Sequence, residues 1–337
     1  MLNLPPEITL HNIVGSAPHL GTGPETLLRI PESLRVHLND NAKERAFHSS
    51  GCELRFRLKS PVFTLHIHAC QIGGTQSGGG LAQILFGDFS HLYFPIVKGD
   101  NCITCTPPNP ENLQLVSKNP TFHPALVRIL LPTHAAICGI QLEGEFAAPE
   151  PGDIPSRRVL HYGSSITQGA SSLSSRETWA AHSARQLNAD LVNIGFGGGC
   201  HCEPEMTDYL CGRNDFDMAV IETGINMLGL EPKIADENVR NLIRKFSRAH
   251  ADKPIFFVGV FPCYNDFLHN FQGRAQEFRN LVEQEVNALN LPNVYFINGK
   301  NALHPPTGLS TDLTHPSPAG MSQIGSYISS EIKQRLP

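Results

Sequence analysis

The hydrophobic period of this chain changes once, near residue 150, and that change limits what the chain can fold into. Ahead of it, Glu53-Leu54-Arg55-Phe56-Arg57-Leu58-Lys59 alternates strictly, with Leu54, Phe56 and Leu58 on one side and charges on the other. A period of two is that of a half-buried strand. Val62–Cys70 repeats it: Phe63, Leu65, Ile67 and Ala69 face one way, Thr64, His66, His68 and Cys70 the other. Further strands are expected at Ser33–Leu38, Ala82–Phe86, His91–Val97, Leu113–Val116, Val127–Leu131 and Cys138–Phe146. Turn signals such as Gly78-Gly79-Gly80 and Pro107-Pro108-Asn109-Pro110 separate them. Many short strands without helical periodicity indicate an antiparallel β-sandwich, jelly-roll-like.

Pro149-Glu150-Pro151-Gly152-Asp153 marks the expected boundary, dividing the chain into domains 1–150 and 151–337. Beyond it strands alternate with helices. Strands are expected at Val159–Tyr162, Leu191–Ile194, Met218–Thr223, Ile255–Val260 and Val294–Ile297. Helices are expected at Glu177–Leu187, Ile234–Ala249 and Phe271–Leu289. Ser317-Pro318, an N-cap followed by Pro at the first helical position, starts a last helix that runs to about Gln334. This order implies a parallel sheet covered by helices, a flavodoxin-like three-layer α/β/α domain. Its ligands bind at the carboxyl ends of the strands.

Charge excludes one class of function. The 26 basic and 31 acidic residues give a net charge of −5, with no Lys/Arg run to follow a phosphate backbone, so no nucleic-acid partner is expected. Apolar runs such as Ile255–Phe261 are far short of the roughly 20 residues a membrane span needs. No leader is evident, since Arg29 is the first basic residue and Pro5-Pro6 interrupt the start. A soluble, cytoplasmic protein is expected. The nine cysteines are odd in number and irregular in spacing, which reads as buried thiols rather than a disulfide framework.

Small polar residues concentrate at the end of the first parallel strand, in Tyr162-Gly163-Ser164-Ser165-Ile166-Thr167-Gln168-Gly169. A serine at a strand tip ahead of a helix suits a nucleophile whose own N–H faces the substrate; a plain strand-to-loop turn would look similar. A phosphate loop needs Lys after its last Gly, where Ala170 stands, and the nucleophile elbow of α/β-hydrolases needs Gly where Thr167 stands. The second strand ends in Gly195-Phe196-Gly197-Gly198-Gly199, which lets backbone N–H groups approach a ligand. Cys200 rules out a dinucleotide fingerprint. The third strand ends in Glu222-Thr223-Gly224-Ile225-Asn226-Met227, where Asn226 either donates its amide to an oxyanion or closes a turn. In Asp312-Leu313-Thr314-His315 the spacing lets the carboxylate reach Nδ1–H of the imidazole and leave Nε2 free as a base; a turn Asp and a helix-flanking His are the plainer alternative.

Taken together and in this order, the four segments resemble the SGNH/GDSL hydrolase superfamily over roughly residues 157–335. The whole arrangement is similar to the branch with an N-terminal β-sandwich, which includes acyl esterases and natural-product acyltransferases. The resemblance implies a triad of Ser165, Asp312 and His315. It implies an oxyanion hole of the Ser165 and Gly198 N–H groups with the Asn226 side chain. Ser164 stands where the family carries Asp before the nucleophile, and Met227 where it carries Asp after the Asn. Substrate contacts are expected from Gly197, Gly199, His201 and Glu222. The expected reaction is deacylation, for example deacetylation, of a sugar or small metabolite ester, with no metal or cofactor. Acyl transfer to an alcohol by the same residues is the alternative, and a binding protein that kept the fold is a third. The sandwich is assigned to carbohydrate binding, cleft shaping or homo-oligomerisation.

Two other clusters invite a metal reading. His66, His68 and Cys70 share a strand face but supply three ligands without an identifiable fourth. Cys102-Ile103-Thr104-Cys105 lacks a partner pair. Pocket lining is one reading of Cys200-His201-Cys202 beside the glycine run, and a Cys nucleophile or zinc site is a less favoured one.

Overall fold

The computed structural model describes residues 2–73, 80–268 and 273–336. Gly78 and Gly79 of the expected turn, and Phe271 of the expected helix, lie outside them. The first part contains strands β1 (Leu2–Asn3), β2 (Thr9–His11), β3 (Gly15–Pro18), β4 (Glu25–Leu28), β5 (Glu53–Leu58) and β6 (Phe63–Ile72). It continues with β7 (Leu81–Phe86), β8 (Phe89–Pro95), β9 (Gly99–Cys105), β10 (Leu126–Leu130), β11 (Ala135–Glu143) and β12 (Phe146–Ala147). They form one sheet of order β1-β11-β6-β9 and a second of order β12-β5-β10-β7-β8 with β2 beside β5; β3 and β4 pair alone. Apart from β1 on β11, the pairings are antiparallel. Leu54 and Phe56 of one sheet and Leu65, Ile67 and Ile140 of the other share one buried core. Alternation puts these residues on the same side of each strand, so burying that side brings the two sheets face to face.

Two expected strands are helices. Ser33–Leu38 overlaps helix α1 (Glu32–Arg35), which follows Pro31 and is closed by the Glu32–Arg35 ion pair. Leu113–Val116 belongs to α3 (Pro110–Val116), where Asn109 caps the Glu111 N–H and Pro110 sits in the first turn. Between them lies α2 (Asp40–Arg45), capped by the Asn39 side chain on the Ala42 N–H. Strand β9 was not expected. The charged side of β5 is not solvated: Glu53 and Arg55 are 6% and 2% exposed. Arg55 reaches both oxygens of Asp190 in the second part, at 2.9 and 2.6 Å.

The second part is a five-stranded parallel sheet of β13 (Arg158–Gly163), β14 (Asp190–Gly195), β15 (Met218–Glu222), β16 (Ile255–Val258) and β17 (Val294–Ile297). Its order, β14-β13-β15-β16-β17, is flavodoxin-like. The longer helices are α5 (Trp179–Gln186), α6 (Pro204–Cys211), α7 (Pro232–Ala249), α9 (Arg274–Leu289) and α10 (Pro318–Arg335); two single-turn helices, α4 (Ser165–Gln168) and α8 (Tyr264–Phe267), sit at the loops. The chain moves one way along the sheet from β13 to β14 and the other way afterwards. Right-handed crossovers therefore place α5, packed on α10, opposite the α6–α7–α9 group. Residues from the first part, including Leu28, Leu38, Ala42 and Phe47, are buried in the core of this sheet. No helix among the described residues is long and apolar enough to cross a membrane.

Candidate active site

The strand order reverses at β13, and Ser165 stands at the carboxyl end of that strand as the first residue of α4. Gly163 is required: a Cβ there would collide with Thr167 Oγ1 and Glu222 Oε2. Ser164 caps the helix through its side chain on the Ile166 N–H at 3.1 Å, and Gly169, at φ +108°, ends it after one turn. Ser165 Oγ lies 2.8 Å from His315 Nε2. His315 Nδ1 in turn lies 2.6 Å from Asp312 Oδ2. The other Asp312 oxygen accepts the N–H groups of Thr314 and His315 and the Ser310 hydroxyl, at 2.9, 2.9 and 2.7 Å. Partial burial disfavours the Asp312 charge, but the hydrogen bonds from His315, Ser310 and Thr314 outweigh it and hold the pKa down to about 2. With Asp312 ionised, Nδ1 carries the proton and Nε2 is the acceptor facing Ser165.

The glycine run follows β14. Gln168 Oε1 accepts the Gly197 N–H at 2.7 Å, while Gly198, at φ +72°, turns the chain so that its own N–H donates to no group among the described residues. A Cβ on Gly198 would lie 3.0 Å from Asn41 Nδ2, and one on Gly199 would lie 2.6 Å from the Ala42 N. This loop is pressed against α2 and admits only glycine at close approach. Asn226 lies in the turn after β15, and its Oδ1 accepts the Cys200 N–H at 3.2 Å. That bond fixes the amide with Nδ2 as the remaining donor.

Glu222 lies beneath Ser164 and Ser165 and does not line the cavity. It is fully buried, and its Oε2 accepts the Ser164 N–H at 2.7 Å and the Thr167 hydroxyl at 2.9 Å. Its Oε1 has no partner among the described residues. Burial raises its pKa, against the opposing pull of the Ser164 and Thr167 donors.

A cavity of about 430 Å³ opens at Ser165, His315, Gly197, Gly198 and Asn226. Five expected site residues thus line one space, with Asp312 behind His315. Three expected substrate contacts do not line it. Gly199 is buried on Ala42, Glu222 lies under Ser164, and His201 holds Asn238 Nδ2 through its carbonyl. Cys200 and Cys202 are buried thiols behind the loop, not pocket lining. His66 and His68 pair with Glu143 and Asp100 on the outer sheet. The sequence reading missed Tyr264 and Ile225, and three residues from the first part of the chain: Asn41, Arg45 and His134. The i, i+4 spacing of Asn41 and Arg45 was the available signal, hidden because α2 was not expected. His134 is buried, and burial, with the Arg45 and Arg29 charges, lowers its pKa to about 4.

Comparison with known proteins bears on the fold and the family. The chain is similar in structure to a salicylyl-acyltransferase from a tetracycline biosynthetic pathway, with 19% identity and a TM-score of 0.73 over 98% of this chain and 95% of that one. A putative GDSL-like lipase from Bacteroides ovatus matches at 17% identity and a TM-score of 0.74, over 97% and 98% of the two chains. A family two carbohydrate esterase from Clostridium thermocellum, in complex with cellohexaose, matches at 18% identity and a TM-score of 0.62, over 86% and 93%. At such identities the likeness concerns the fold. No curated protein matches the sequence. The model of the GDSL-like lipase/acylhydrolase family matches residues 156–333, more than half of the chain, and the chain belongs to that family of esterases and acyltransferases.

Proposed function

We propose that the protein is a serine-dependent carboxylic ester hydrolase working through an acyl-enzyme. The observation that carries this reading is the continuous relay from Ser165 Oγ to His315 Nε2 at 2.8 Å and from His315 Nδ1 to Asp312 Oδ2 at 2.6 Å, at the wall of a cavity. Ser165 Oγ attacks the ester carbonyl while His315 Nε2 takes its proton, and Asp312 stabilises the imidazolium. The Ser165 and Gly198 N–H groups and Asn226 Nδ2 hold the negative oxygen of the tetrahedral intermediate. Collapse breaks the bond to the alcohol, which leaves with the proton from His315. Water then attacks the acyl-enzyme by the reverse proton path. The bookkeeping of bonds and protons closes without metal or cofactor.

The substrate reading is a small-molecule or carbohydrate ester, with acetyl removal as the example. The size of the cavity and its mixed polar and apolar lining support a compact ester. Residues 1–150 are read as a β-sandwich domain that shapes the cleft, supported by the placement of Asn41, Arg45 and His134 in the cavity wall. An alcohol acceptor in place of water would make the same residues an acyltransferase. Partitioning of the acyl group between water and added alcohol distinguishes the two. The primary test is intact-mass spectrometry after a fluorophosphonate probe, with 4-nitrophenyl acetate turnover alongside. One adduct on the wild type, none on Ser165→Ala, and turnover lost with it are expected. A wild type that neither labels nor turns over removes the reading.

A further inference from the structure

Helix α2 carries Asn41 and Arg45 four residues apart, on one face and both at the cavity wall. A Cβ on Gly197 would lie 3.5 Å from Arg45 Nε and 3.5 Å from Ser165 Cβ. The guanidinium therefore stands about one residue's width from the nucleophile. Its NH1 is held by Glu44, whose other oxygen accepts Gln71 Nε2 at 2.9 Å. The remaining edge, Nε with NH2, meets no protein acceptor among the described residues. Two parallel N–H donors on a planar group match the two oxygens of a carboxylate.

A second guanidinium stands near this edge, since Arg29 and Arg45 both act on His48 and His134. Arg29 lies behind α2 and donates to the carbonyls of His48, Arg45 and Asn193, at 2.6, 2.7 and 3.1 Å, and to no carboxylate among the described residues. Burial lowers its pKa to about 10, which leaves it protonated near neutrality. His48 and His134, packed against the same wall, are pushed toward the neutral form by burial. Arg45 thus has Glu44 as its carboxylate partner, and Arg29 has none among the described residues. Asp312 and Glu222 lie on the nucleophile's side, each held by its own donors. Among the described residues, no Asp or Glu lines the cavity itself.

We propose that the cavity selects esters that bear a carboxylate, held by the Nε/NH2 edge of Arg45, on either the acyl or the alcohol side of the scissile bond. The proposal rests on the acyl-transfer reading above. Two ester pairs test it. Mono-4-nitrophenyl glutarate against 4-nitrophenyl acetate places the acid on the acyl side. 4-Acetoxybenzoate against phenyl acetate places it on the alcohol side. In the wild type, kcat/KM for the acid ester exceeds that of its neutral partner in one pair, and that pair identifies the side. The acid-to-neutral ratio falls about tenfold or more in Arg45→Gln, as expected for loss of a charge-assisted bond. Arg45→Lys, which keeps the charge without the fork, recovers part of it. A ratio unmoved by Arg45→Gln in both pairs, or a wild type that prefers the neutral ester in both, overturns the proposal. Calorimetric titration of Ser165→Ala protein with each acid ester reads the subsite without chemistry. Binding that disappears in the Ser165→Ala/Arg45→Gln double variant supports the subsite even if no ester is turned over, a result that would fail the serine reading alone. Neutral-ester turnover with no carboxylate binding would fail the subsite alone.

Discussion

The side-chain carbonyl of Gln168 accepts the Gly197 N–H at 2.7 Å, and its amide donates to the Thr133 carbonyl at 3.2 Å and lies 3.0 Å from His48 Nδ1. One buried side chain thus ties the glycine loop after β14 to two segments of the first part of the chain, the turn after α2 and the turn between β10 and β11. Because Gly197 is pinned, Gly198 has a fixed direction for its N–H. Gln168 is a positioning residue in this account, and Gln168→Met keeps its volume without its polar atoms. A displacement of about 1 Å in such a loop costs up to about 100-fold in rate. Turnover of 4-nitrophenyl acetate, normalised to sites titrated by fluorophosphonate, should fall at least about tenfold in kcat with KM within about twofold. A variant that melts earlier but keeps its kcat per titrated site would show that Gln168 serves the fold alone.

Asn226 offers a sharper test of the proposed oxyanion hole. Its Oδ1 is committed to the Cys200 N–H, so its remaining function is the Nδ2 donor. Removing one such donor lowers kcat by about 10²–10³. Asn226→Ala is expected in that range, with KM little changed, because the interaction forms in the transition state and not with the resting ester. An equal loss spread into KM would assign Asn226 to ground-state binding.

How legible this was depended on distance along the chain. Ser165, Gly198 and Asn226 were readable because each follows a strand of the parallel sheet within a few residues in a short motif, and Asp312 and His315 because they stand three residues apart in one short motif, in the loop between β17 and α10. Asn41, Arg45 and His134 were not, because nothing local states which surface of one half packs on a loop of the other. The same blindness made Glu53 and Arg55 look solvated. Period-two alternation identifies a strand, and Asp190 supplies the cover from 135 positions away. Glu222 was misread for a related reason: its place at a strand end suggested ligand contact, whereas the one-turn helix α4 folds back over it.

Asp190 links the two parts and should govern acid stability. Burial works against its ionisation, while His11 and the Arg55 guanidinium favour it and prevail, so its folded pKa lies below the ordinary 3.8. A depressed folded pKa contributes stability above the unfolded value, and that stability is lost as pH falls from about 4 toward the folded pKa. Glu53, held by Arg128 and Arg55 against the cost of burial, acts in the same direction. Asp190→Asn should cost roughly 3–5 kcal/mol at neutral pH, since it breaks a buried pair and leaves Arg55 with Glu53 alone. Urea unfolding at pH 7 and pH 3.5 should show the gap between wild type and variant narrowing in acid. A constant gap would mean that the pair carries no pH-dependent stability.

Glu222 predicts the opposite slope. Its folded pKa is raised above 4.5 by burial, despite the Ser164 and Thr167 donors. Between the unfolded and the folded pKa the native state holds a proton that the unfolded state has released. Stability therefore falls as pH rises through that interval. Glu222→Gln keeps the acceptor for Ser164 and Thr167 and supplies an N–H₂ where Oε1 lacks a partner, but it cannot ionise. Relative to wild type, the variant should gain stability as pH rises from about 4.5, whatever its absolute stability at the lower end. Urea denaturation of both proteins at pH 4.5 and pH 7.5 measures the change. If the difference between them is the same at both values, Glu222 carries the same charge in the folded and unfolded chains, and its carboxylate acts at the base of the Ser165 turn through hydrogen bonding only.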